Sequence, residues 1–140
     1  MSSKNLLKRV QVFCDGAARG NPGSAAIAYL IKDETDTILK QERKRIGDCT
    51  NNVAEYKAII EGLKACSNFT RESVTVFSDS QLAIKQINGI WKINYEHLEE
   101  LYRQVKKAET IFKKVTFIHK LRNNKDIMEV DRLANEALDS

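Results

Sequence analysis

The sequence has no long run of apolar residues and no basic leader followed by an apolar stretch, so we expect neither a membrane span nor export. Its three cysteines, Cys14, Cys49 and Cys66, are an odd number without C-x-x-C spacing. This pattern argues against a disulfide framework and a zinc site, and it favours a reducing, cytoplasmic location. Repeats, linkers and low-complexity segments are also missing, which predicts a single domain over 1–140.

The composition is ordinary for a globular protein, with 42% apolar and 30% charged residues in a chain of 140. The formal net charge is +4 and the sequence pI is near 9.0. Basic residues cluster, for example at 43–45 and 113–114, as they do in proteins that bind polyanions. Solvated surface faces produce the same clusters, so charge alone leaves nucleic-acid binding open.

Hydrophobic periodicity predicts an α/β fold in which an antiparallel meander is followed by alternating helices and strands. The GNPG sequence at 20–23 predicts the first turn, because Pro22 fixes φ and Gly23 tolerates a positive φ. The predicted strands cover 8–15, 24–31, 36–46, 73–78 and 115–118, and the predicted helices cover 53–66, 80–88, 98–112 and 128–138. We therefore expect a mixed five-stranded sheet with helices on its faces.

Four acidic residues, Asp15, Glu55, Asp79 and Asp131, lie where these predicted elements begin or end. Each has a structural interpretation. An Asp-Gly turn would explain Asp15. A capping-box pattern that starts at Asn52 would explain Glu55. A favourable interaction with the helix dipole would explain Asp79. Asp131 would simply lie near the start of the last helix.

Together the four acids also fit a functional site. If the first and fourth strands are parallel neighbours, Asp15 and Asp79 emerge at the same edge of the sheet, where sites form in open sheets. Glu55 and Asp131 could point into the same crevice from their helices. Close carboxylates repel, so four in one pocket would need cations, and Mg²⁺ or Mn²⁺ suits a site made only of oxygens.

Four segments carry these acids: DGAARGNPG, TNNVAEYKAIIEGL, VFSDSQLAIKQI and DRLANEAL. They resemble, in order, the four signature blocks of type 1 ribonuclease H, and the resemblance extends from Arg9 to Leu138. The predicted order of strands and helices is similar to the fold of that family. The chain resembles its prokaryotic members that lack a basic loop, the handle, because IWKINYEHLEEL runs almost directly into the next helix.

The resemblance implies that Asp15, Glu55, Asp79 and Asp131 are catalytic carboxylates that hold two Mg²⁺ (or Mn²⁺) ions. It implies an endonuclease that cuts the RNA strand of RNA–DNA hybrids and leaves 5′-phosphate and 3′-hydroxyl ends. Duplex RNA is a further candidate substrate, and a monomer is expected. The alternatives are a catalytically silent hybrid- or duplex-RNA-binding module on this fold, or another nuclease of the same fold.

The resemblance also implies further site residues. His119 occupies the region of a mobile histidine that assists proton transfer or product release, and Trp91 that of an aromatic residue against the DNA sugars. The candidate substrate contacts are Gly16, Asn21, Thr50, Asn51, Asn52, Ser80, Gln81 and Trp91. Helix capping by Asn52 and partial burial of Trp91 are the structural alternatives.

The chain departs from the family pattern in places besides the handle. Asp48 stands where relatives often have a basic residue that contacts DNA phosphate. The segment HKLRNNKDIMEVD is longer than the common spacing between the histidine and the last acid, and it lacks the usual Val-Pro. We therefore expect Asp131 to keep its place and the position of His119 to be altered.

Overall fold

The computed structural model describes residues 6–140, which form a five-stranded mixed sheet. The strands are β1 (Leu7–Gly20), β2 (Gly23–Lys32), β3 (Ile38–Cys49), β4 (Thr70–Ser78) and β5 (Lys114–His119), in the spatial order β3-β2-β1-β4-β5. The pairs β1–β2 and β2–β3 are antiparallel, and β1–β4 and β4–β5 are parallel. The predicted meander and the mixed five-stranded sheet are thereby confirmed.

Helices cover both faces of the sheet. They are α1 (Asn51–Ala65), α2 (Gln81–Ile87), α3 (Glu96–Glu109) and α4 (Lys125–Asp139), and a short 3-10 turn follows α1 at Cys66–Asn68. Val10, Val12 and Cys14 share one core with α1, α2 and α3, whereas Phe13 belongs to a second core with α4. Alternate strand residues point to opposite faces, so β1 supplies both cores and is the central strand of the fold.

A buried polar pair joins the two helices next to the candidate site. The Tyr56 hydroxyl of α1 donates a 2.7 Å hydrogen bond to Gln86 Oε1 of α2, and both side chains are buried. Burial of an unpaired hydroxyl or amide would be unfavourable, so the bond fixes how these helices pack.

Several predicted boundaries differ from the structure. β1 continues to Gly20 instead of ending at Asp15, and α3 ends at Glu109, so that Phe112 packs from the following turn. α4 begins at Lys125, before the predicted start at 128, because the Asn124 side chain accepts hydrogen bonds from the amides of Asp126 and Ile127. Over the residues described, no helix combines the length and apolar character needed to cross a membrane.

Candidate metal centre

The acidic cluster lies where the parallel pairing of β1 and β4 ends. The last parallel pair is Cys14 with Ser78, and Asp15 and Asp79 directly follow these two residues in the sequence. Strand β4 ends there, but β1 continues, with Asp15 opposite Ala28 of β2. The two aspartates meet at this edge as predicted, but only Asp79 follows the end of its strand, whereas Asp15 lies inside β1. The Asp-Gly turn interpretation is therefore wrong.

Glu55 reaches this edge from the second turn of α1. The helix is capped by Thr50, whose Oγ1 accepts a 3.3 Å hydrogen bond from the Val53 amide, so the proposed cap at Asn52 is wrong. Glu55 Oε1 instead accepts a 2.7 Å hydrogen bond from the Gly16 amide. This bond holds the Glu55 side chain against β1, so the side chain does not cap its own helix.

Oxygen atoms of Asp15, Glu55 and Asp79 lie within 4.8 Å of one another. Asp131 lies in the second turn of α4, not near its start as expected, because the helix begins earlier. Its carboxylate is close enough to Asp15 to raise the pKa of that group. Asn135 Nδ2, one turn further along, donates to the Asp131 backbone and side-chain oxygens at 2.9 and 3.3 Å.

The cluster is electrostatically unfavourable without a cation. Burial raises the pKa of Asp15, and the charges of Glu55, Asp79 and Asp131 raise it further. Burial also raises the pKa of Glu55, followed by the charge of Asp79, although the Gly16 amide acts in the opposite direction. Two buried oxygens, Asp15 Oδ2 and Asp79 Oδ1, have no hydrogen-bond partner within residues 6–140. Such oxygens are the ligands that a hard divalent cation prefers.

Two further side chains approach Asp79. His119 pairs with Ser78 at the end of β5, and its Nε2 lies 3.2 Å from the Asp79 backbone oxygen. Arg122, in the long segment before α4, donates from Nε to Asp79 Oδ2 at 3.1 Å. Sequence reasoning missed Arg122. The available signal was a basic residue inside the segment that is longer than the common family spacing.

The predicted substrate contacts fall into two groups. Some side chains are occupied within the protein: Asn51 Oδ1 accepts from the Ala18 amide, Asn21 Oδ1 accepts from the Asn51 amide, and Thr50 caps α1. Ser80 caps α2, because its Oγ accepts from the Ala83 amide. Of the other four, Gly16 donates its backbone amide to Glu55, and Asn52, Gln81 and Trp91 are exposed to solvent. Only these three have side chains both exposed and free of the contacts just described.

A groove runs between α2 and α3, and its lining includes Asn52, Gln86, Trp91, Lys92 and Tyr95. Trp91 is 42% exposed, so its ring is partly buried as the structural alternative expected, but it belongs to none of the core clusters of residues 6–140. Tyr95 is 64% exposed. Sequence reasoning also missed Tyr95, although it follows Trp91 in the segment where a handle would stand. Exposed aromatic rings next to a cation and amides are typical of nucleic-acid surfaces.

Comparison with known proteins agrees with this architecture. The Reverse transcriptase-like family model matches residues 13–137. Ribonuclease HI of Halobacterium salinarum is 37% identical over 131 residues, which cover 94% of this chain and 65% of that protein. The crystal structure of RNase H1 from that archaeon matches with a TM-score of 0.89, over 94% of this chain and 98% of the other. The chain belongs to the type 1 ribonuclease H family.

Two other ribonuclease H structures are similar to this chain. The N-terminal RNase H domain of a Mycobacterium tuberculosis protein matches with a TM-score of 0.88 at 33% identity and covers 95% of both chains. LC11-RNase H1 in complex with an RNA/DNA hybrid matches with a TM-score of 0.85 at 33% identity, over 93% of this chain and 96% of that one. The chain spans only 36% of the full-length bifunctional mycobacterial protein.

Proposed function

We propose that this protein is an endoribonuclease that hydrolyses the RNA strand of RNA–DNA hybrids and leaves 5′-phosphate and 3′-hydroxyl ends. The observation that carries the proposal is the convergence of Asp15, Glu55 and Asp79 oxygens within 4.8 Å, with two of the oxygens buried and unpartnered. The hybrid bound to LC11-RNase H1 supports the choice of substrate.

The donor set fits two Mg²⁺ or Mn²⁺ ions. Asp15, Glu55 and Asp79 would hold the ions, and Asp131 would complete the set from α4. When bound, the ions would supply an activated water and charge stabilisation for the departing 3′-oxygen. The hydrogen bond from the Gly16 amide orients Glu55, and the Asn135 amide orients Asp131. His119 would then exchange a proton with solvent or with the leaving group at its ring nitrogen.

The hybrid would lie across the α2–α3 groove and the start of α1. Trp91 and Tyr95 would pack against the sugars of the DNA strand. Exposed Asn52 and Gln81 would donate to minor-groove acceptors and 2′-hydroxyls, which is how a protein distinguishes RNA from DNA. The caps and turn contacts described above would shape this surface; they involve Asn21, Thr50, Asn51 and Ser80. Gly16 would allow α1 to approach β1 closely.

We propose that residues 1–140 act as one domain and as a monomer, because all four acids come from one chain. The thiols of Cys14 and Cys66 are free and buried in the core, which fits a reducing compartment such as the cytoplasm.

One assay tests the function. A labelled RNA–DNA hybrid, duplex RNA and duplex DNA are each incubated with Mg²⁺, Mn²⁺ or EDTA, and the ends of the products are identified. We expect metal-dependent cleavage of the hybrid, with 3′-hydroxyl ends on the RNA. Cleavage of duplex RNA would extend the substrate range, and hybrid binding without cleavage would indicate a silent binding module.

Asp79→Asn supplies the mechanistic control. It should abolish cleavage while hybrid binding stays measurable, because one ligand carboxylate is lost and the fold is kept. Glu34→Gln is the matched variant, since it also turns an acid into its amide but at an exposed position in the turn after β2. Full activity of Asp79→Asn would refute the carboxylate mechanism.

A further inference from the structure

Arg122 connects the lengthened segment before α4 to the acidic cluster. Its side chain is 83% exposed, whereas the Asp79 side chain that it contacts is only 8% exposed. The guanidinium Nε lies 3.1 Å from Asp79 Oδ2, and the other oxygen of the same carboxylate is buried without a partner within residues 6–140. The exposed guanidinium of Arg122 therefore contacts the nearly buried carboxylate of Asp79, a candidate metal ligand.

Arg122 interacts with several acids of the cluster and not with Asp79 alone. Asp79 holds the pKa of Arg122 above its ordinary value, first through the hydrogen bond and then through its charge, and the charges of Asp131 and Asp15 act in the same direction. A guanidinium cannot lose its proton in a protein, so it stays cationic at every working pH. Arg122 thus compensates the mutual repulsion of the acids wherever it stays in contact with them.

We propose that Arg122 is a resident counter-ion of the acidic cluster and that its positive charge beside Asp79 competes with a divalent metal ion for the same carboxylates. The proposal rests on the proposed function, because it takes Asp79 to be a metal ligand. Asp79 Oδ1 has no hydrogen-bond partner within residues 6–140 and can coordinate a metal ion, but the guanidinium 3.1 Å from Oδ2 repels an incoming cation and offsets the negative charge of the carboxylate. Metal affinity is then set by a competition inside the protein, and not only by the geometry of the acids.

The ordinary alternative is a surface salt bridge without consequence. Exposed pairs contribute little to stability, and many contribute nothing measurable. Lys125 offers this comparison in the same segment, since its Nζ contacts Asp36 Oδ2 at 3.1 Å and its side chain is 73% exposed. Lys125→Ala removes one positive charge close to Arg122 along the chain but leaves the contact with Asp79 intact.

The test measures Mg²⁺ binding by calorimetry and thermal unfolding with and without EDTA, for the wild type, Arg122→Ala, Arg122→Lys and Lys125→Ala. We expect Arg122→Ala to bind Mg²⁺ roughly three- to fivefold more tightly, as expected for the loss of one competing ion pair. In EDTA the same variant should unfold at a lower temperature, so that Mg²⁺ raises its Tm by more than that of the wild type.

The two other variants identify the cause. Arg122→Lys keeps the charge but loses the planar donor, and it should fall between the wild type and Arg122→Ala. Lys125→Ala should bind Mg²⁺ like the wild type. Equal Mg²⁺ affinity and equal Tm in EDTA for the wild type and Arg122→Ala would overturn the inference alone. A wild-type protein that neither binds Mg²⁺ nor cleaves hybrids would overturn the proposed function as well.

Discussion

The backbone amide of Gly16 donates a 2.7 Å hydrogen bond to Oε1 of Glu55. This bond joins β1 to α1 directly beside Asp15, and it requires the helix to approach the strand very closely. A Cβ placed on Gly16 would lie 2.2 Å from the carbonyl carbon of Ala54. Backbone atoms, which cannot rotate away, therefore occupy the space that any other residue would need.

Gly16→Ala should consequently shift the start of α1 away from β1. We expect a loss of about 1–3 kcal/mol of stability, typical of overpacking, and a large fall in hybrid cleavage because Glu55 loses its position. Denaturant unfolding and the cleavage rate measure the two effects.

Gly47→Ala is the control for the glycine substitution. Gly47 has a φ of +84°, and a Cβ there would meet nothing within 4 Å. Its replacement should cost about 1–2 kcal/mol from the left-handed conformation alone and leave cleavage intact. Equal loss of activity in both variants would show that stability, and not the Gly16–Glu55 contact, limits the reaction.

Stability in EDTA should fall as pH rises. Because burial and neighbouring acids raise the pKa of Asp15, the folded protein binds more protons than the unfolded chain above the ordinary carboxyl pKa of about 4. The contribution of Asp15 is complete below that pH and is lost as pH rises toward the raised pKa. Asp15→Asn removes this loss. Between about pH 5 and about pH 8 its free energy of unfolding should therefore rise, relative to that of the wild type, by on the order of 1–3 kcal/mol.

Chemical denaturation across that pH range measures the difference between the wild type and Asp15→Asn. Mg²⁺ should reduce the slope of the wild-type curve, because bound cations favour the ionised carboxylates. Parallel curves for the two proteins in EDTA would contradict the electrostatic account of the cluster.

His119→Ala should slow turnover without stopping it. The ring lies 3.2 Å from the Asp79 backbone oxygen, so it borders the site without being one of the clustered acids. A fall in kcat of roughly 10- to 100-fold is expected, at or below the usual range for general acid–base groups. The exposed His97 supplies the matched control, and His97→Ala should keep the wild-type kcat. Identical pH–rate profiles for the wild type and His119→Ala would exclude His119 from the reaction.

Trp91 provides a direct optical test of the hybrid groove because it is the only tryptophan in the sequence. Hybrid added to Asp79→Asn should shift the emission of Trp91 to shorter wavelength as its exposed ring is covered. Trp91→Ala in the same background should weaken hybrid binding by about tenfold, in line with the loss of one stacking contact. Ile38→Ala, which changes an exposed apolar residue on β3, should bind normally. Unchanged emission and affinity would place the hybrid elsewhere.

The sequence predicted the antiparallel meander and the mixed five-stranded sheet. The parallel pairing of the first and fourth strands, which the sequence offered only as a condition for a shared edge, is present in the structure. The set of four acids stays a prediction, of which the structure brings three together. Prediction from the sequence failed where local signals compete with tertiary contacts. Asp15-Gly16 has the composition of a turn, yet β2 pairs with both residues and extends the strand. Asn124 was not recognised as a cap, because the apolar period of α4 begins only at Ile127. Arg122 and Tyr95 were missed because their importance depends on where distant segments pack.

The four acids of the candidate centre lie on β1, on α1, directly after β4 and on α4, so the fourth candidate ligand comes from the last helix described. A growing chain on the ribosome cannot assemble the centre until α4 has been synthesised and has docked on the sheet. Since only the completed fold offers all four carboxylates, bound metal would stabilise the whole domain against unfolding instead of a local segment.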